Sequence, residues 1–259
     1  MALAPTARSG WRIVLHAPAG LTMLLLWQFA SGAAVLAAAA PQSAATAILV
    51  IGDSQAQGVT GALQRLFLRD RRFHVLDRTK VGTGITLKAT YDWPAAVEAL
   101  VSAEKADVAV VMFGANDRPP IRIKGVIDTA LGESFRKIYE SRVKRIINLL
   151  RGANMTVIWL GNPIVRDASY AEDLAFLNNV LETVTQAEGA RWVPISDIAT
   201  DSDGNYTAHG EGVDGKTTRL RADDGVHFTA AGYDLIAKRL QPLMESYRAE
   251  HVANPAPRP

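Results

Sequence analysis

Cysteine is absent from the 259-residue chain. That excludes disulfides, thiolate metal sites and a cysteine nucleophile. Charge of one sign is lacking too: 28 Lys and Arg against 26 Asp and Glu give 28 − 26 = +2. No strong polyanion partner follows from so small a balance, and nucleic acid is not expected as a ligand. Against these shortages, 48% of the residues are apolar and 21% charged. This excludes a generally disordered or collagen-like chain. The length suits one large domain or two small ones. A catalytic residue has to come from Ser, Thr, Asp, Glu, Lys, Tyr or one of the five His.

Acidic residues are missing altogether from residues 1–40, which hold two arginines, Arg8 and Arg12. From Leu21 to Ala40 there is no charge at all. A basic start, an apolar middle around Leu24–Phe29 and an alanine-rich end before Pro41 make a secretory signal, with cleavage expected near Ala38 to Ala40. The alternative is an uncleaved anchor, since about 20 apolar residues can span a bilayer. Either way the rest is expected to work outside the cytoplasm, periplasmic or extracellular. It would touch the membrane only through residues 21–40, and only if the segment stays. No cysteine follows the segment, so a lipoprotein is excluded. Without residues 1–40 the charge is 26 − 26 = 0, so the +2 belongs to the leader.

Long apolar runs are lacking beyond the leader, but short ones recur. Ala47–Ile51, Phe73–Asp77, Asp107–Met112, Thr156–Leu160 and Arg191–Ile195 have strand length. Near-continuous apolar strands imply burial on both faces and a parallel sheet. Helical stripes lie between them: Val59, Leu63, Leu66 and Phe67, then a helix opened by Asp92-Trp93-Pro94. Phe135 to Leu150 follows, ended by Gly152, and Leu174 to Val184, ended by Gly189; Thr229 caps a last helix through Tyr247. Five strand–helix alternations read as an α/β three-layer sandwich, a doubly wound domain over residues 46–250. A loose Pro-rich tail is expected over 251–259.

Ligands of such sheets bind at the carboxyl ends of the strands. The first strand ends in Gly52-Asp53-Ser54, which puts Ser54 at a strand-to-helix turn. It reads equally as a nucleophile or as an N-cap serine. The third strand ends in Gly114-Ala115-Asn116-Asp117, where Asn116 reads as an oxyanion donor or a plain turn residue. Gly82 and Gly84 follow the second strand on the same edge. Near the end, Asp224 stands three residues before His227, close enough in a turn to hold its ring. His16, His74, His209 and His251 lie in the leader, a strand, a polar loop and the tail, and are poorer bases.

These blocks in order resemble the SGNH (GDSL-type) hydrolases over about Ala47 to Tyr247. The resemblance implies a flavodoxin-like five-stranded parallel sheet and a serine esterase or acyl hydrolase acting on ester bonds. It implies Ser54 as nucleophile, Asp224 and His227 as its triad partners, and an oxyanion hole from the Ser54 and Gly82 N–H groups with the Asn116 amide. Gly84 is the rival in register to Gly82. No cofactor or metal is implied. The expected substrate is a small-molecule or glycan ester, with O-acyl and above all O-acetyl groups on an envelope carbohydrate favoured. A monomer is expected. An O-acyltransferase shares the same triad, and a non-catalytic carbohydrate-binding module is the alternative of another class. A fourth block, Gly161-Asn162-Pro163, carries no evident catalytic group. Gln55-Ala56-Gln57 departs from the commoner Leu-containing first block, and two long segments, Arg118–Gly132 and Asp201–Ala222, leave strand ends where they could shape a groove.

Three other patterns are set aside. Gly210 to Thr217 fits a phosphate loop by letters, but no helix has room to follow it before the turn at Asp223. Asp201 to Asn205 hints at a calcium loop, with its glycine one place early and Gly212 where a Glu is needed. Gly52–Ala56 lacks the last glycine of a nucleophile elbow.

Overall fold

The apolar runs do pair into one sheet. The computed structural model describes residues 44–118, 121–123, 126–128 and 131–253, within one compact unit, Ser43–Pro259. The leader and residues 254–259 lie outside the described residues. In chain order the elements are β1 (Thr46–Gly52), α1 (Ser54–Leu66), β2 (Phe73–Thr79), α2 (Trp93–Ala103), β3 (Val108–Met112), β4 (Ile121–Ile123) and β5 (Val126–Asp128). Then come α3 (Glu133–Gly152), β6 (Thr156–Leu160), α4 (Ala168–Ala187), β7 (Arg191–Val193), β8 (His209–Glu211), β9 (Thr217–Arg219) and α5 (Ala230–Ala253).

The main sheet runs β2-β1-β3-β6-β7, every neighbouring pair parallel. Its central strands have two buried faces because successive side chains point to opposite sides. Ile48 and Val50 of β1 join Val108, Val110 and Met112 of β3 in a core under α1 and α5. Leu49 and Ile51 join Ala109, Val111 and Trp159 in a second core under α2, α3 and α4. This is the expected three-layer sandwich. Among the described residues no helix is long and apolar enough to cross a membrane.

Local chemistry sets the ends. Asp92 and Asp167 cap α2 and α4, each accepting from the N–H three residues on. Gly189 takes φ +68° after α4, as a C-terminal glycine should. Gly152 is not the stop expected of it: it is the last residue of α3, and Asn154 makes the left-handed turn at φ 62°. Asparagine tolerates that region better than most residues. The expected tail from 251 onward is still helical through Ala253, where His251 stacks on Tyr247 at 3.9 Å.

The two long segments each carry an antiparallel hairpin, β4–β5 and β8–β9. The stretch that spelled a phosphate loop is the turn of the second hairpin, closed by Gly212 N–H to Lys216 O at 2.9 Å.

A sheet in this order changes winding direction between β1 and β3, and a crevice opens at that switch point. Ser54 follows β1 and Asn116 follows β3, so both candidates flank it.

Candidate active site

β1 ends at Gly52, whose φ of +146° and closeness to β3 tolerate no side chain: a Cβ there would lie 2.0 Å from Met112 O. The next residue, Asp53, is the N-cap of α1, its carboxylate accepting the Gln55 N–H at 2.9 Å. Ser54 is therefore the first helical residue and not the cap, which removes one of its two readings. Its hydroxyl is free for other work and lies 2.7 Å from His227 Nε2. The His227 Nδ1 lies 2.7 Å from Asp224 Oδ2. The other oxygen, Asp224 Oδ1, accepts the Val226 and His227 N–H groups at 2.8 and 2.9 Å.

Partial burial pushes the Asp224 carboxyl up. The His227 and Val226 N–H groups and the imidazole pull it down further, to about 2. Asp224 is thus an acceptor only at neutral pH, so Nδ1 of the neutral ring carries the hydrogen. Nε2 is left with its lone pair towards the Ser54 hydroxyl. The chain of three groups spans 173 residues of sequence. It remains open to solvent, with His227 and Asp224 side chains 35% and 48% exposed.

The oxyanion candidates divide. Asn116 Nδ2 donates to Thr83 O at 2.9 Å and has only a 3.5 Å contact to Asp53 Oδ2 for its second hydrogen. The first bond ties the loop after β2 to the turn after β3. In that loop Gly82 sits exposed at φ +71° with open space around the missing side chain. Gly84 is buried, and a Cβ on it would meet Asp117 Oδ1 at 2.5 Å. The rivalry is physical: Gly84 is a packing glycine, Gly82 an open one.

Behind the site two acids are sealed from water. Asp53 is fully buried, and burial pushes it up to about 7, against the Gln55 N–H and with help from the Asp117 charge. Burial also raises Asp117, although Thr86 N–H and Oγ1–H donate to it at 2.7 and 2.8 Å and the Tyr139 hydroxyl at 3.3 Å.

Three supports were not visible as such in the sequence. Gln55, noted only as a departure, is buried; its amide donates to Val226 O at 2.7 Å and its Oε1 accepts the Tyr233 hydroxyl at 2.8 Å. Arg221 is fully buried and has no ion pair among the described residues. It donates to Ile164 O at 2.6 Å and Val226 O at 2.8 Å, and its guanidinium lies 4.3 Å from the Phe228 ring centre. Both side chains grip the carbonyl next to His227. Such a cation is tolerable in the interior only because carbonyl oxygens take its hydrogens. Gly161-Asn162-Pro163 also proves structural: Asn162 N–H donates to Asn178 Oδ1 at 2.7 Å, and Asn178 Nδ2 returns a bond to Asn162 O at 3.0 Å.

No metal-holding group of three or more His, Asp or Glu occurs among the described residues. What the geometry offers is an activated hydroxyl, a base and its orienting acid at the start of a helix, where backbone N–H groups favour negative charge.

The family described as "Protein of unknown function (DUF459)" matches residues 47–242. No curated protein matches the sequence. Solved structures do match by shape. A GDSL-like lipase from Bacteroides thetaiotaomicron superposes with a TM-score of 0.55 at 14% identity, covering 78% of this chain and 88% of its own. An alpha/beta hydrolase from the metagenome of Lake Arreo gives 0.55 at 18% identity, covering 79% and 97%. A carbohydrate acetylesterase from Sinorhizobium meliloti gives 0.52 at 14%, covering 76% and 99%. At such identities the likeness is one of fold, and the fold is that of the SGNH hydrolases.

Proposed function

The chain belongs to the DUF459 family, and from that premise and the geometry of its site we propose that it is an SGNH-type serine esterase. It removes O-acyl, chiefly O-acetyl, groups from an exported carbohydrate. The observation that carries the reading is the Ser54–His227–Asp224 chain, with both links at 2.7 Å.

In the proposed cycle Ser54 Oγ attacks the ester carbonyl and its proton passes to His227 Nε2. Asp224 keeps the ring oriented and stabilises the imidazolium. The tetrahedral oxyanion is received by the Ser54 and Gly82 N–H groups and by the second hydrogen of Asn116 Nδ2. His227 returns the proton to the departing sugar hydroxyl, which leaves an acyl group on Ser54. Water attacks next, with His227 again the base. The His227 and Asp224 side chains are 35% and 48% exposed, so water can reach the base that would deacylate Ser54, which favours hydrolysis over transfer. No step calls for a metal or cofactor.

Ser54→Ala is expected to abolish release of 4-nitrophenol from 4-nitrophenyl acetate while circular dichroism stays unchanged. Wild type should be labelled covalently by a fluorophosphonate at Ser54. Full turnover by the variant would sink the esterase reading, and an unreactive Ser54 would favour a non-catalytic carbohydrate-binding module. Asn116→Ala should cost roughly 10²–10³ in kcat, the range for one oxyanion donor.

A further inference from the structure

The loops around Ser54 share a construction that neither the triad nor the oxyanion hole requires. Each of three strand-end loops carries a cation laid on a tyrosine ring. After β2, Lys80 Nζ stands 4.8 Å over Tyr91. After β3, the Arg118 guanidinium stands 3.9 Å over Tyr170. After β6, that of Arg166 stands 5.5 Å over Tyr206. All three are fastened to the site. Lys80 N–H donates to Gly52 O at 2.8 Å, two residues before Ser54. The Tyr170 hydroxyl donates to Ala115 O at 2.5 Å, beside Asn116. Arg166 donates through its backbone to Gly225 O at 3.0 Å and through Nη1 to Asp223 O at 2.9 Å, bracketing Asp224.

The nearby acids are already engaged. Asp92 pairs with Lys88 at 3.1 Å, Asp173 with Arg118 at 2.7 Å and Asp223 with Arg219, while the carboxylates of Asp167 and Asp224 are taken up by backbone N–H groups and the His227 ring. Lys80 and Arg166 make no ion pair with the described residues, and both are exposed. The rim therefore keeps two cations without an ion-pair partner among the described residues, although the chain without its leader is neutral by count. Stacking on tyrosine holds each cation in place without neutralising it.

Strand order gives their spacing. β1 and β3 stand between β2 and β6, so the two loops are three strand steps apart, roughly 14 Å at about 4.8 Å per step. One small anion cannot reach both cations at once, but a chain with repeated anionic groups can cross the edge and meet both, with Ser54 between them. We infer that the substrate is an O-acylated acidic glycan, its sugar carboxylates or phosphates held by Arg166 and Lys80 on either side of the ester. This rests on the esterase reading above and names its substrate class.

The test uses the full chain and measures acetate released from O-acetylated polygalacturonate and from neutral O-acetylated xylan, beside 4-nitrophenyl acetate. At low salt kcat/KM should favour the acidic polymer by about tenfold or more, and about 0.5 M NaCl should erase most of that preference by screening. The double variant Lys80→Gln, Arg166→Gln should lower the acidic-to-neutral ratio by a similar factor. Unacetylated polygalacturonate and inorganic polyphosphate serve as competitors: the stronger one identifies the anion, and competition by neither overturns the inference. Turnover of 4-nitrophenyl acetate with equal use of both polymers also overturns it, while the esterase reading stands. No turnover of any ester, with polygalacturonate still retained by wild type and lost by the double variant, supports the anion site and overturns the esterase reading instead.

Discussion

At the scale of single residues, two aspartates of one site are driven in opposite directions by their surroundings. Asp224 is held at about 2 because donors outnumber the effect of its partial burial. Its contribution to stability is present above the unfolded value near 4 and is lost as pH falls through about 2. It therefore stays charged wherever His227 can act as a base. Asp53 is raised to about 7 by burial, so the sign reverses. Its protonated form favours folding below about 4, and that stabilisation disappears as pH rises through about 7, by an amount on the order of a few kcal/mol. Asp53→Asn keeps an oxygen to cap Gln55 N–H and removes the titration. Urea midpoints measured from pH 4 to 7.5 should fall more steeply for wild type than for the variant. Parallel curves would mean that Asp53 does not titrate in this window.

At the scale of elements, the helix that starts with Ser54 is positioned by its contact with α5. Gly58 of α1 lies against Tyr233, and a Cβ there would come within 2.1–2.4 Å of three ring carbons. Alanine gains up to about 1 kcal/mol over glycine inside a helix. Overpacking a full ring typically costs about 1–3 kcal/mol, so the clash should win. The consequence goes beyond stability, because the Tyr233 hydroxyl holds Gln55, and Gln55 holds the Val226 carbonyl beside His227. Gly58→Ala is expected to lower the melting temperature by several degrees and to reduce kcat more than it changes KM. A variant more stable than wild type would show that the ring moves aside without cost. Arg221 completes the same clamp from the other side, bonding the loop after β6 to the His227 turn. The turn that carries His227 is thus held by three other elements, which a stretch of ten residues between β9 and α5 could not stiffen alone.

At the scale of the whole molecule, two apolar cores on opposite faces of one sheet make disulfides unnecessary, which suits a chain with no cysteine. Export is part of the functional proposal, and N-terminal sequencing of the protein recovered from a secreting host should start at residues 39–41; retention of Arg8 and Arg12 in the envelope fraction would indicate the anchor. Much of the fold was legible along the chain. The central strands β1, β3 and β6 are buried on both faces and so are apolar at nearly every position, which made them visible as runs, while the edge strands β2 and β7 are partly exposed and showed as more mixed patterns. Ser54 and Asn116 were visible because parallel strands deliver their ends to one edge, and Asp224 and His227 because they stand three residues apart just before the last helix. Burial pattern alone was silent on which helices cover which face, since a stripe shows that a helix packs but not against what. Gln55 looked like a departure and Arg221 like one arginine among many, because their meaning lies in bonds to Val226 O, and Gln55 stands 171 residues away from it. What distinguishes Gly82 from Gly84 is space, open around the first and filled by Asp117 at the second. The unmatched cations at the rim were averaged away by a net charge near zero. Composition, period and the order of motifs are properties of the chain; by themselves they determined the class of fold, and the candidate site residues came with the resemblance that their order carries. Pairing, burial and the balance of local charge depend on which distant segments meet, and only the tertiary structure decided those.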